Sequence, residues 1–203
     1  MAALERVRAA VPTDVPFIAD AKRGDIGSTS ARYAVALFDS LAADAVTASP
    51  YLGSDALEPL LERADRFVYV LCRTSNPGAG ELQNLDVGGR PLYEHVAVRA
   101  QEWAAGRGNV GLVVGATASV ELERVRAVAP GLPFLVPGVG AQGGDAEVVM
   151  RHGPVSEGLA RHIPGGALLV NVSRGIAGAA AGSDDPSAAI AAAAEHWAAT
   201  LRC

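Results

Sequence analysis

The sequence of 203 residues is half hydrophobic and 19% charged, with a formal net charge of −5 at pH 7. This composition is typical of a soluble globular protein, and an acidic chain without a basic cluster excludes general nucleic-acid binding. With two cysteines and no apolar run near 18 residues, we expect no disulfide framework, membrane span or signal peptide, and therefore a cytoplasmic protein.

Strands and helices are predicted to alternate along the whole chain. Six short apolar runs lack polar alternation, which is typical of parallel strands buried on both faces; they cover residues 16–21, 45–49, 66–72, 110–116, 133–139 and 167–173. Helices are predicted at 2–10, 31–41, 55–63, 91–105, 120–129, 145–151, 155–161 and 187–201. The pattern predicts an α/β fold, and without a linker or a shift in composition we expect a single domain over residues 1–203.

Two α/β architectures fit this pattern, an open doubly wound sheet and a (β/α)8 barrel of the TIM type. The polar residues that could take part in catalysis or binding all lie at the carboxyl ends of different predicted strands. A barrel collects these ends around one mouth, where its active sites lie, so the TIM-barrel type is favoured.

The number of strands is lower than a complete barrel requires. Six units in 203 residues are roughly 34 residues each, so eight units need roughly 270 residues. The first predicted helix, at residues 2–10, also has no strand before it. We therefore expect an incomplete barrel with six of eight βα units, and a complete six-stranded open sheet is the alternative.

The first charged motif is Asp20-Ala21-Lys22-Arg23-Gly24-Asp25, directly after the apolar run at residues 16–19. Two carboxylates flanking one lysine can form a charged site in which the lysine donates a proton. A solvated loop is the structural alternative. Ser28, Thr29 or Ser30 is expected to cap the helix predicted at residue 31.

Polar side chains also follow the second and third strands. Ser49 precedes a Pro-Tyr-Leu-Gly turn, and Thr74-Ser75-Asn76-Pro77-Gly78 supplies hydroxyl and amide groups that can read the edge of a polar heterocycle. Both segments also read as ordinary turns.

The last two strands are followed by candidate phosphate-binding groups. The run Pro137-Gly138-Val139-Gly140-Ala141-Gln142 opens a glycine-rich loop whose N–H groups can approach a phosphate, although it is neither a Walker A loop nor a dinucleotide fingerprint. Ser173-Arg174 ends the sixth strand, and arginine can bind phosphate through two hydrogen bonds. The four histidines have no partners at metal-ligand spacing, so no metal site is predicted.

Taken in order, these motifs make the chain resemble the orotidine 5′-phosphate decarboxylases, and the type 2 subfamily in particular. The resemblance implies a TIM-barrel enzyme without cofactor or metal, usually a homodimer, that converts orotidine 5′-phosphate to UMP and CO2 in the last step of de novo UMP synthesis.

The resemblance also implies roles for single residues. Asp20 would lie against the substrate carboxylate, Lys22 would protonate C6, and Asp25 and Thr29 would reach into the partner subunit's site. Ser75 would contact the pyrimidine. The phosphate would be held by the residues at the ends of the last two predicted strands, which are Pro137, Gly138, Gly140, Gln142, Ser173 and Arg174.

One departure from the family pattern concerns the expected missing strands. The family also uses an aspartate after its first strand and a second lysine after its second, and this chain begins beyond both. The loss of one member of a concerted catalytic set commonly costs orders of magnitude in rate. The alternatives are a Mg2+-dependent sugar-phosphate decarboxylase or lyase of the same superfamily, a non-catalytic nucleotide-binding remnant, and an open-sheet binding protein.

Overall fold

The computed structural model describes residues 2–140, 143–156 and 167–202. Its six strands are hydrogen-bonded in chain order, β1-β2-β3-β4-β5-β6, and the pairs β1/β2, β2/β3 and β5/β6 are parallel. The strands are β1 Ile18–Arg23, β2 Ala45–Ala48, β3 Phe67–Arg73, β4 Val110–Val114, β5 Phe134–Pro137 and β6 Leu168–Asn171.

The order of the strands decides between the two predicted architectures. A doubly wound sheet reverses its strand order at a switch point, whereas strands in strict chain order are what a TIM-type βα repeat produces. The structure therefore confirms the α/β fold of TIM-barrel type with six strands, and the doubly wound alternative is wrong.

Helices separate the strands, as predicted. They are α1 Ala2–Ala10, α2 Gly27–Ala34, α3 Ser54–Leu61, α4 Gly80–Gln83, α5 Leu92–Ala104, α6 Ser119–Val128, α7 Ala146–His152, α8 Arg174–Ala177 and α9 Pro186–Thr200. A π-helical segment, Val35–Ser40, continues α2. The helix predicted at 155–161 lies largely outside the described residues.

Several predicted boundaries were wrong by a few residues. The first strand begins at Ile18 rather than at residue 16 and continues to Arg23, so Lys22 lies within the strand and not after it. Helix α2 begins at Gly27, four residues earlier than predicted, and has Ile26 at its N-cap without a side-chain hydrogen bond. The predicted capping by Ser28, Thr29 or Ser30 is therefore wrong, because these residues lie in the first turn.

The chain divides into two compact units, Met1–Leu71 with Val98–Leu112, and Cys72–Ala97 with Val113–Cys203. In the first unit, fully buried Val46, Leu57 and Val68 form part of an aliphatic core. In the second, Leu122, Phe134 and other apolar side chains are buried in the same way. The prediction of one domain over 1–203 stays a prediction.

Arg126 organises the second unit from the last turn of α6. Its guanidinium lies 3.5 Å from the centroid of the Phe134 ring. It donates hydrogen bonds to the carbonyls of Ala129, Leu132 and Gly153 at 3.0, 2.8 and 2.5–3.0 Å. Burial lowers the pKa of Arg126 to about 10, which leaves it charged at neutral pH. A cation at a helix C-terminus also interacts favourably with the helix dipole.

We expect Arg126→Met to lower the free energy of unfolding by about 2–4 kcal/mol, because the carbonyls of Ala129, Leu132 and Gly153 lose a charged donor. Urea denaturation measures the change. The matched control is Arg151→Met, which removes an exposed arginine paired with Glu147 and should change stability by less than about 0.5 kcal/mol. Equal effects of the two substitutions would contradict this role of Arg126.

Candidate active site

Asp20 and Lys22 form an ion pair on β1. The two side chains are 63% and 51% exposed, so the pair is accessible to a ligand. Lys22 has a φ of +48°, in the left-handed region, and the register of β1 against β2 shifts between Ala19 and Arg23. Irregularities of this kind redirect side chains and are frequent beside active sites.

Thr47, on β2, connects both members of the pair. Its hydroxyl donates a hydrogen bond to Oδ1 of Asp20 at 2.8 Å and accepts one from the backbone N–H of Lys22 at 3.0 Å. Thr47 is fully buried. Sequence reasoning missed this residue, although one hydroxyl in an otherwise apolar strand was a usable signal.

Asp25 and Thr29 lie at the start of α2, close in sequence to the pair. The carboxylate of Asp25 accepts a hydrogen bond from the backbone N–H of Ile26 at 2.8 Å. The hydroxyl of the buried Ser30 donates to the carbonyl of Asp25 at 3.0 Å. These bonds hold the turn that carries Asp25.

Gly24 and Ser49 bring the ends of β1 and β2 together. The backbone N–H of Ser49 donates to the carbonyl of Arg23 at 2.7 Å. A Cβ on Gly24 would lie 2.8 Å from the Ser49 carbonyl oxygen, so this close approach depends on glycine. The segment that carries Asp20, Lys22 and Asp25 thus lies next to Ser49 at the ends of β1 and β2.

Ser75, in the second unit, follows β3 in a loop held by hydrogen bonds. The side-chain oxygen of Gln83 accepts from the backbone N–H of Thr74 at 2.9 Å. The hydroxyl of Thr74 donates to Oδ1 of Asn76 at 2.6 Å. A Cβ on Gly115 would come within 2.8 Å of the backbone nitrogen and Cβ of Ser75, so the end of β4 lies directly against this loop.

The glycine-rich loop after β5 is closed by its own backbone. Gly140 and Gly144 donate to the carbonyls of Gly144 and Gly138 at 3.2 and 3.1 Å, and Gly143 donates to that of Gly140 at 2.7 Å. These three N–H groups are therefore engaged within the loop rather than presented together to an anion. Gln142 lies outside the described residues.

Trp197 of α9 connects this loop to the segment after β6. A Cβ on Gly140 would lie 2.9 Å from the indole ring, and a Cβ on Gly175 would lie 3.0 Å from its Nε1. The indole thus fits against two glycines, one beside Pro137 and Gly138 and one beside Ser173 and Arg174. Sequence reasoning did not identify Trp197.

Ser173 and Arg174 are exposed at the start of α8. Arg174 forms no ion pair with any carboxylate of residues 2–140, 143–156 and 167–202. Its exposed side chain is therefore accessible to a ligand.

In the part of the chain that the structure describes, no group of three or more His, Cys, Asp or Glu side chains is arranged to hold a metal ion. No helix there has the length and apolar content needed to cross a bilayer.

Residues 2–193 match the model of the orotidine 5′-phosphate decarboxylase / HUMPS family. The chain belongs to this family. It is 53% identical over 180 residues to an orotidine 5′-phosphate decarboxylase of Azoarcus sp. (strain BH72), an alignment that covers 88% of this chain and 64% of the relative. The corresponding enzyme of Thermomicrobium roseum is 54% identical over 178 residues, which cover 87% of this chain and 61% of that relative.

Solved structures agree with the family assignment. The OMP decarboxylase of Leishmania donovani superposes with a TM-score of 0.83 at 47% identity, covering 98% of this chain and 74% of that one. The family member described here nevertheless spans less than two thirds of the length of the two curated relatives above.

We expect Gly115→Ala to destabilise the protein by about 1–3 kcal/mol, because the added methyl group overpacks the Ser75 loop. Thermal unfolding measures the effect. Gly131→Ala is the matched control, since nothing lies within 4 Å of a Cβ at Gly131; we expect it to be neutral or slightly stabilising. A Gly115→Ala protein as stable as the control would contradict the close contact.

Proposed function

We propose that the chain acts as an orotidine 5′-phosphate decarboxylase, releasing CO2 and forming UMP. The observation that carries the proposal is the accessible Asp20–Lys22 pair at the irregular part of β1, in a chain of this family. The names of the curated relatives support this reaction and disfavour the Mg2+-dependent sugar-phosphate alternative.

The reaction breaks one carbon–carbon bond and makes one carbon–hydrogen bond. The bond from C6 to the carboxylate breaks, and its electron pair stays on C6. The Lys22 ammonium stabilises this developing carbanion electrostatically and then gives it a proton. The resulting neutral amine regains a proton from water.

Asp20 has two roles in the proposal. It holds the Lys22 ammonium through their ion pair. Its charge also lies against the substrate carboxylate, a repulsion that is relieved as CO2 leaves. Binding of the distant phosphate, proposed for Arg174 and the loop that contains Pro137, Gly138, Gly140 and Gln142, supplies the free energy that holds the two carboxylates together.

Lys22→Ala should lower turnover by at least about a hundredfold, because the general acid is removed. Loss of orotidine 5′-phosphate is followed by ultraviolet absorbance, with and without added Mg2+. The control is Arg99→Ala, which removes an exposed helical cation paired with Glu102 and should leave turnover unchanged.

Three results would count against the decarboxylase proposal. Turnover unaffected by Lys22→Ala would reject the role of the lysine. A requirement for Mg2+ would favour sugar-phosphate chemistry. UMP binding without turnover by the folded chain would favour the nucleotide-binding remnant.

We also propose a homodimer with shared active sites, in which Asp25 and Thr29 contribute to the partner's site. Large exposed apolar side chains in the segments after β1 and β2 support this proposal, because Ile26 is 62% and Tyr51 80% exposed and such residues are typical of interfaces. The cytoplasmic location expected from the sequence stays a prediction.

Mixing inactive variants tests shared sites. In an equimolar mixture of Lys22→Ala and Asp25→Ala subunits, random pairing makes half of the dimers heterodimers, and each heterodimer contains one intact site of two. About a quarter of the parent activity should therefore return. The control mixture combines Lys22→Ala with Asp20→Asn; both residues serve their own subunit's site, so no activity should return. Sedimentation measures dimer formation in both mixtures, and equal recovery in both would reject sharing.

A further inference from the structure

Thr47 is a buried hydroxyl whose hydrogen bonds go to the two central residues of the candidate site. Its neighbours on β2, Val46 and Ala48, are fully buried apolar residues. A hydroxyl in such surroundings is costly unless it is hydrogen-bonded. Thr47 meets this requirement through Asp20 and Lys22, so its placement is tied to theirs.

The direction of both hydrogen bonds is set by chemistry. The backbone N–H of Lys22 can only donate, so the Thr47 oxygen accepts there. The Asp20 carboxylate can only accept when ionised, so the hydroxyl proton points to its Oδ1. The other oxygen, Oδ2, contacts the Lys22 ammonium. Each oxygen of Asp20 therefore has its own donor.

The backbone of Lys22 needs this partner as well. A φ of +48° is unfavourable for a side-chain-bearing residue. The register shift between Ala19 and Arg23 interrupts the regular ladder at this point. At this irregular point of β1, the Thr47 hydroxyl accepts the hydrogen bond from the Lys22 N–H, in place of a carbonyl of the neighbouring strand.

We propose that Thr47 is a positioning residue that holds the Asp20 carboxylate and the Lys22 backbone in the geometry used for proton donation. This proposal rests on the decarboxylase function proposed above. Thr47 is buried behind Asp20 and Lys22, and it acts on the reaction through them. A correctly oriented Asp20–Lys22 pair matters most in the transition state, so the loss should fall on kcat rather than on KM.

The first test replaces the hydroxyl by a methyl group. Thr47→Val keeps the shape of the side chain and should lower kcat about ten- to a hundredfold through loss of a hydrogen bond to a charged group. KM should change by less than about threefold. Thr47→Ser retains the hydroxyl and should restore most of kcat. Thr47→Ala serves as a second variant without the hydroxyl.

Val46→Ala is the control for a merely structural effect. Val46 is fully buried on the same strand, and its truncation should destabilise the fold without lowering kcat of the folded protein. An equal loss of kcat in Val46→Ala, or failure of Thr47→Ser to restore it, would overturn the proposal.

A second readout does not depend on turnover. Lys22 is the only lysine among the 203 residues. Reductive 13C-methylation of the intact chain therefore labels a single side chain, apart from the terminal amine. Thr47→Val and Thr47→Ala should move the Lys22 methyl resonance toward its position in the urea-unfolded chain, whereas Thr47→Ser and Val46→Ala should not.

The two readouts separate the two proposals. If the parent chain does not decarboxylate orotidine 5′-phosphate but the Lys22 resonance moves as expected, the decarboxylase function fails and the positioning by Thr47 stands. If Thr47→Val leaves the Lys22 resonance unchanged, the positioning proposal fails whatever the activity of the parent chain.

Discussion

The contact between the Asp20 carboxylate and the Lys22 ammonium is the interaction on which the candidate site depends. A buried parallel strand favours apolar residues and regular hydrogen bonding, and β1 departs from both where these two charges lie. The strand therefore combines a structural role toward its amino end, where Ala19 is buried, with an accessible charged segment toward its carboxyl end.

The second unit uses a different kind of constraint. Its candidate ligand-binding segments are loops, and their positions depend on close contacts between glycines and larger groups. Because Gly115 has no side chain, the Ser75 loop can pack against it, and the indole of Trp197 packs in the same way against Gly140 and Gly175. Arg126 adds a buried cation that holds the carbonyls after α6. Rigid supports of this kind keep surface loops in one geometry, which a binding site requires.

Most of the fold could be predicted from the sequence, because short apolar runs such as the one in β4 are typical of parallel strands that helices cover on both faces. The errors have local causes. Helix α2 begins at Gly27 without a side-chain cap, so Ser28, Thr29 and Ser30, which lie in its first turn, were wrongly predicted to cap it. The phosphate-binding role of the loop after β5 stays a prediction, and the N–H groups of Gly140, Gly143 and Gly144 are used within the loop.

The sequence by itself determined the order of strands and helices, the charged motif from Asp20 to Asp25 and the family of the chain, because periodicity and short motifs are local properties. Only the tertiary structure decided that Thr47 contacts Asp20 and Lys22, 27 and 25 residues away, and that Trp197 fits against Gly140 and Gly175. These contacts arise from the register of neighbouring strands and the docking of α9, which no local pattern specifies.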